Sequence, residues 1–357
     1  MIPVTKPFFP RIEEYQFFLK RIWKNQWLTN RGELVRELES KIKEKLSVND
    51  FLLTNNGTIP LQIALKVLAR KGEVITTPFS YVATTSSIVW QDCTPVFVDI
   101  DPNYWTIDET KIEEAITSRT TCILATHVFG NPCNVLEIER IATKHGIAVI
   151  YDAAHAFGVR YNGQSLFSYG DVSTCSFHAT KLFHTGEGGG LFTNRADLVN
   201  EMFYSHNFGH NGPTDFFGVG INGKMSELQA AMGLAVLPYT DELIEIRTKI
   251  HESYDKALDT CDFQKIKVRE GTDWNYSYYP VLMSSESALM KAIKLLNTND
   301  IFPRRYFYPS LNTLNYVSSE KMNVSEDISS RVLCLPLYPS LKAKEVDLIC
   351  ELLNKSV

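Results

Sequence analysis

The sequence predicts an α/β protein in two parts. Residues 1–240 form a large domain on a mostly parallel sheet with helices on both faces, and residues 241–357 a smaller α/β domain. Three observations carry this. Short apolar runs alternate with helix-length segments, the pattern of strands joined by crossover helices. A chain of 357 residues is too long for one small core. Asn56, His127 and Asp152 each follow or close an apolar run, at the strand ends where ligands collect on such sheets.

Residues 1–32 carry prolines and aromatics up to a turn at 30–32, and read either as a cover over a pocket or as a plain arm. Residues 33–39 have helical apolar spacing. A strand at 51–54 and a turn at 55–58 lead into a helix, with Pro60 suited to the first helical turn. Residues 73–77 form a strand ended by Pro78, and 79–86 a loop entering a helix with Tyr81 near the entrance. Strands are expected at 94–98 and 121–126, and helices at 108–115 and 135–145. The run 147–151 is a strand closed by Asp152, Val172, Cys175 and Phe177 mark a buried strand, and 191–193 a returning one. Residues 203–222, rich in His, Asn, Gly and aromatics, read as a long working loop. Helices are expected at 223–236 and 240–258. Strands at 276–282 and 332–335 then alternate with helices at 285–296 and 342–353.

Hydrophobic residues make up 44% of the chain and charged residues 22%, with a net charge of −5. This balance is ordinary for a globular protein and argues against non-specific binding to nucleic acid or anionic membrane. The N-terminus has no basic region followed by an apolar core, so no signal peptide is expected. No apolar run approaches a membrane span. The seven cysteines are scattered and read as buried thiols in a reducing compartment, which fits a cytoplasmic enzyme.

One lysine, Lys181, lies between the strand around Cys175 and a glycine cluster at Gly186, Gly188, Gly189 and Gly190. An acid at the end of a buried strand and a lysine on a nearby loop are what a pyridoxal phosphate site needs. The lysine holds the aldehyde, and Asp152 keeps the ring nitrogen protonated. Such a lysine must lose its proton near neutral pH, which desolvation favours. Backbone donors at Gly57 and Thr58, with the helix dipole, make a phosphate seat; the same Asn-Gly-Thr pattern also serves as an ordinary helix cap.

Nine pieces recur in order: 27–32 (WLTNRG), 56–58 (NGT), 77–84 (TPFSYVAT), 127–130 (HVFG), 151–158 (YDAAHAFG), 176–181 (SFHATK), 186–189 (GEGG), 220–222 (GIN) and 335–337 (LPL). With these the chain resembles, over nearly its whole length, the DegT/DnrJ/EryC1/StrS family of pyridoxal-phosphate-dependent sugar aminotransferases. The resemblance implies the type I aminotransferase fold with a seven-stranded sheet, and a homodimer with shared active sites. It implies that Gly57, Thr58 and Ser176 hold the cofactor phosphate, and that Asn222 reaches the phosphate of the neighbouring subunit. Tyr81 then stacks on the ring, and His155, where many members have Gln, lies near the ring hydroxyl. Tyr151 stands where most members have Glu, and Lys224 where Arg is frequent, which keeps the charge without the bidentate geometry.

The run 185–189 (TGEGG) resembles members that aminate C4 of a nucleotide-linked 4-keto-6-deoxy sugar. By resemblance L-glutamate is the donor and dTDP-4-keto-6-deoxy-D-glucose the acceptor. Substrate contacts are then expected from Thr29, His178, His184, Glu187 and Arg304. His178 reads equally as a core histidine, and the run 302–309 holding Arg304 equally as a solvated edge. His127, His206 and His210 lack supporting cysteine or carboxylate spacing, so no metal is expected and they read as lining the pocket or its rim. The rival readings are C3 amination, a GDP- or UDP-linked acceptor, and a non-catalytic regulator that binds pyridoxal phosphate. A dehydratase of the same family carries histidine in place of the lysine, and Lys181 argues against it.

Overall fold

The computed structural model describes residues 1–259 and 263–356, so Cys261 lies outside the described residues. Seven strands form the large sheet: Asp50–Thr54 (β1), Glu73–Thr76 (β2), Thr94–Phe97 (β3), Thr120–Thr126 (β4), Ala148–Asp152 (β5), Val172–Ser176 (β6) and Gly189–Thr193 (β7). Their order is β1-β7-β6-β5-β4-β2-β3. All neighbours are parallel except β7, which runs antiparallel to both β1 and β6. β4, β5 and β7 are buried along almost their whole length, as expected of strands covered on both faces.

On one face pack helices Thr58–Leu68 (α3) and Ala196–Ser205 (α6), in a cluster with Leu65, Val74, Leu124 and Leu191. A further cluster joins Ile12–Asn25 (α1), Glu33–Leu46 (α2) and Glu227–Val236 (α7) around Phe177, Phe183 and Phe192. Each fully buried aromatic of this kind is worth roughly 1.5–3 kcal/mol. Val82–Trp90 (α4) packs on α3 through Ile88, and Val135–His145 (α5) packs in a separate cluster with Ile75, Ile123 and Val149.

The second core gathers Thr240–Ala257 (α8), Glu286–Thr298 (α9), Ala343–Asn354 and the strands Tyr279–Leu282 and Val332–Leu335. Ile2–Pro3 joins this core as well, pairing in parallel with Ile301–Phe302. Among the described residues no helix is long and apolar enough to cross a membrane, and no group of three metal-binding side chains is present.

Within the N-terminal segment residues 12–25 form a helix, whose Tyr15, Phe18, Leu19 and Ile22 share a face that packs on the core beside α7. Three expectations need correction. Residues 108–115 form only two short turns, Glu109–Lys111 and Glu113–Ala115, since Ile112 is the single fully buried anchor there. The helix expected from 223 starts at Glu227, where Ser226 and Gln229 form a capping box. The strand expected from 276 starts at Tyr279, because Tyr276 takes φ +49° and the preceding residues turn aside to the large domain.

Candidate active site

β6 and β7 are joined by the segment 177–188, which folds back on itself. Phe177 N–H donates to Gly188 O (2.8 Å), Ala179 N–H to Gly186 O (2.7 Å) and Thr185 N–H to Phe177 O (3.0 Å). Lys181 sits at the tip of this excursion. It lines a small pocket with His155, Ser176, Asn275 and Tyr278. Burial lowers the amine to about 8, against the opposing attraction of Asp152.

Asp152 ends β5, one sheet position from Thr126 on β4 and Thr174 on β6. The residue is 5% exposed. Oδ2 accepts from Thr84 Oγ1 (2.7 Å) and Oδ1 from Ala154 N–H (3.1 Å), both neutral donors. Thr84 has one proton and gives it to Asp152. Ser80 Oγ, 2.7 Å away, therefore donates to Thr84, and Thr126 Oγ1 donates to Ser80 at 3.1 Å. Three hydroxyls in series thus polarise toward one carboxylate. Burial still raises the Asp152 pKa, with the Thr84 and Ala154 hydrogen bonds and Lys181 pulling the other way. A buried acid held only by neutral donors suits a cationic ring nitrogen.

Tyr151 precedes Asp152 and points to the opposite face, as strand alternation requires. It is fully buried and stacks on His127, with ring centres 4.5 Å apart. The departure from Glu at this position is therefore a core substitution behind the sheet. His127 does not line the pocket as read from sequence: it is buried, and its Nδ1 accepts from Cys133 N–H (3.0 Å). His206 is buried against Phe203, and His210 lies by Phe216 on the 206–222 loop.

His155 is fixed by a backbone donor. Phe129, at φ +55°, directs its N–H to His155 Nδ1 (3.1 Å). The ring proton of the neutral imidazole is then on Nε2. Burial, then Lys181, holds the ring well below its ordinary pKa, so it stays a neutral donor. The phosphate seat is tight. A Cβ on Gly57 would fall 2.6 Å from Ser176 Cβ and 2.7 Å from Ser176 Oγ, and one on Gly189 would overlap Asn56 O. Glycine lets the α3 turn close on the Ser176 strand end. Thr58 N–H is not free, contrary to the sequence reading: Asn56 Oδ1 accepts from Thr58 (2.9 Å) and Ile59 (3.0 Å). This leaves Gly57 N–H and the hydroxyls of Thr58 and Ser176.

The chain belongs to the DegT/DnrJ/EryC1/StrS aminotransferase family. The family's model matches residues 11–354. It is an aminotransferase that works with pyridoxal 5′-phosphate, and the amine, acid, imidazole and glycine-lined seat just described fit that group. The chain is 40% identical to the dTDP-4-amino-4,6-dideoxy-D-glucose transaminase of Shigella dysenteriae, over 97% of its own length and 96% of the relative's. The Escherichia coli transaminase of the same name is 39% identical, over 99% and 98%. The solved structure of DesI with its TDP-sugar product superposes with a TM-score of 0.93 at 31% identity, covering 99% of this chain and 92% of that one.

The remaining sequence expectations divide by place. Tyr81 is exposed at the start of α4. Arg304 stands at the rim, its guanidinium 5.0 Å from the Tyr306 ring and close enough to Lys181 to lower its pKa. On the lysine loop, His178 Nδ1 meets Thr180 Oγ1 (2.8 Å), and its Nε2 lies 3.6 Å from the exposed Glu187. His184 is a different case. It is buried, its Nε2 donates to Phe8 O (2.7 Å) and its Nδ1 accepts from Gly186 N–H (3.3 Å). Nε2 pins the N-terminal segment and Nδ1 holds the lysine loop at Gly186, so no donor is left for a sugar. Thr29 and Asn222 are exposed, away from the Lys181 pocket of their own chain. Sequence reasoning missed Thr84 and Tyr278 as site residues. Thr84 reads as an ordinary helix residue until β2 and β5 are placed in one sheet with β4 between them, and Tyr278 reads as part of a strand.

Proposed function

We propose that this enzyme transfers the amino group of L-glutamate to C4 of dTDP-4-keto-6-deoxy-D-glucose, with Lys181 as the acid–base residue and Asp152 as the anchor of the cofactor ring. The observation that carries the residue roles is the placement of Lys181 in a small pocket with His155, Ser176 and Tyr278, where the buried Asp152 attracts its amine. The acceptor rests on the 40% and 39% identity to two transaminases named for that amino sugar. When bound, pyridoxal phosphate supplies the electron sink and carries the amino group between donor and acceptor.

Asp152 keeps a proton on the ring nitrogen through a charge-assisted bond, roughly twice as strong as a neutral one. His155 would present its Nε2–H to the ring hydroxyl. Gly57, Thr58 and Ser176 would hold the phosphate, and Tyr81 would stand over the ring. Lys181 takes a proton from the α-carbon of glutamate and returns it on the other side of the exchange, and runs the same transfer in reverse for the sugar. Arg304 suits the pyrophosphate oxygens through its fork of donors, and His178 and Glu187 meet the sugar from the lysine loop.

The enzyme works as a homodimer in the cytoplasm, with Thr29 and Asn222 each serving the partner's site. The exposed Trp23, Trp27, Phe216, Phe217 and Val219 flank these two residues in sequence and form the apolar surface a second copy covers. The six described cysteines are buried, in keeping with a reducing compartment.

Incubating the holoenzyme with glutamate and a panel of 3-keto and 4-keto sugars on dTDP, UDP and GDP tests this directly. An amine at C4 of the dTDP sugar, assigned by NMR, is expected. Turnover confined to a 3-keto sugar, or to a GDP or UDP carrier, refutes the acceptor assignment and leaves the cofactor chemistry standing.

A further inference from the structure

The Lys181 amine faces a hydroxyl that the roles above do not use. Lys181 Nζ lies 3.3 Å from Tyr278 Oη and donates to it; catalytic hydrogen bonds of this length are common before substrate binds. Tyr278 belongs to the chain entering the second core, yet it is brought to the large domain by a set of pins. Asn275 Nδ2 donates to His155 O (2.8 Å) and Phe157 O (3.0 Å), and Asn275 Oδ1 accepts from Ser277 N–H (3.2 Å). From α8, the buried Arg247 donates through Nη1 to Ser277 O (3.1 Å). Tyr276 between them takes φ +49°, a conformation of order 1 kcal/mol above the ordinary regions for a non-glycine residue. These bonds offset that strain, and their common effect is to hold residue 278 under the lysine.

The Tyr278 ring is packed among His155, Phe129 and Tyr306, with centres 4.7, 5.2 and 5.2 Å away. A phenylalanine would meet every one of those ring contacts. The hydroxyl adds nothing to the packing and costs desolvation, so what it contributes is its hydrogen bonding, to Lys181 and to the Tyr306 side chain. Burial pushes its pKa up, so it keeps its proton. A neutral phenol both accepts and donates. It accepts from Lys181 as an ammonium and turns its own O–H to Lys181 as a free amine.

We propose that Tyr278 is a positioning residue for Lys181: its hydroxyl holds the lysine amine at the reacting carbon whenever that amine is released from the cofactor. Tyr278 neither gains nor loses a proton in the cycle. Lys181 receives the proton from the glutamate α-carbon and delivers it, while the Tyr278 oxygen fixes where the amine stands between those two acts. This rests on the assignment of Lys181 as the acid–base group.

The test is Tyr278→Phe, read in two ways. In the cofactor-free full chain, trace acetylation of Lys181 followed across pH by peptide mass spectrometry gives the pKa of the amine. Removal of the hydroxyl deprives the ammonium of its stronger, charge-assisted partner, so that pKa falls by about one unit. In the holoenzyme, single-turnover deamination of glutamate slows by roughly tenfold or more, and the isotope effect with α-deuterated glutamate rises because proton transfer becomes limiting.

An unchanged Lys181 pKa together with a glutamate half-reaction within twofold of wild type overturns the proposal. A loss confined to the sugar half-reaction does the same and makes Tyr278 a sugar contact. Should the phenylalanine variant fail to fold, 3-fluorotyrosine at 278 keeps the ring and hydroxyl while weakening the oxygen as an acceptor. It lowers the Lys181 pKa in the same direction, and no shift there also overturns the proposal. Borohydride trapping of wild-type holoenzyme on another lysine refutes the Lys181 assignment itself, before Tyr278 is tested.

Discussion

Burial that makes Lys181 useful also makes it costly, and the cost can be measured. The amine is held at about 8 instead of its ordinary 10.5. At about 1.4 kcal/mol per pH unit, carrying the charged form in the folded chain at pH 7 costs on the order of 3 kcal/mol. Below pH 8 folded and unfolded chains both hold this proton, and the penalty is complete. Between about 8 and 10.5 the unfolded chain binds more protons than the folded one, so the wild-type protein gains stability as pH rises. Above that window the penalty is gone. Lys181→Met removes the titrating group and keeps much of the volume. In cofactor-free protein the variant is therefore expected to be more stable than wild type at pH 7 by up to about 3 kcal/mol, with the gap closing from pH 8 to 10.5. Loss of the attraction between Lys181 and Asp152 shifts the offset and not the slope, because the carboxylate exchanges no proton there. Urea unfolding of both proteins at a series of pH values reads the gap directly, and cofactor must be absent because its binding adds stability of its own. A gap that is flat with pH, or one that opens as pH rises, would falsify the electrostatic account of the lysine.

Asp152→Asn should loosen the cofactor by roughly tenfold to a hundredfold, since it exchanges a charge-assisted bond for a neutral one; fluorescence titration with pyridoxal phosphate reports it, and an unchanged affinity contradicts the ring-nitrogen assignment. Thr84→Val leaves Asp152 Oδ2 without its 2.7 Å donor, so about 1–3 kcal/mol of unfolding free energy in denaturant should be lost. Gly57→Ala drives a methyl to within 2.6 Å of Ser176 Cβ and should weaken phosphate binding more than Ser176→Ala does, as measured by competition with inorganic phosphate. His184→Ala should lower stability by about 1–2 kcal/mol while KM for the sugar holds, because its ring nitrogens serve Phe8 and Gly186; a raised KM with unchanged stability would restore it as a substrate contact.

The chemistry of the site was legible where it depends on residue type and strand ends. Asp152 closing an apolar run and Lys181 before glycines are visible without coordinates, and although each is commonplace alone, their order among the nine family segments marks them. The parallel sheet was legible because strands buried on both faces leave unbroken apolar runs. What stayed hidden depends on long-range placement. The hydroxyl series from Thr126 through Ser80 to Thr84 joins residues from two strand ends and a helix, and nothing local marks them as one device. His184 looked like a pocket residue by its distance from Lys181 in sequence, yet the return of the chain at Gly186 turns it toward Phe8. α1 was obscured because Phe17 and Trp23 are exposed on the face opposite Phe18 and Ile22, so apolar residues ring the helix and blur its period.

The parallel pairing of Ile2–Pro3 with Ile301–Phe302 bears on how the protein is made. A ribosome that has finished the seven-stranded sheet has yet to synthesise the strand to which Ile2 belongs. The earliest residues must therefore wait, unpaired, through most of translation. Closing a loop of that span is entropically expensive and slow, so the second core is the last part of the molecule to be sealed. A bulky fusion placed ahead of Ile2 burdens that final step rather than the catalytic sheet, and the damage would appear as poor yield of intact protein with normal turnover in whatever matures.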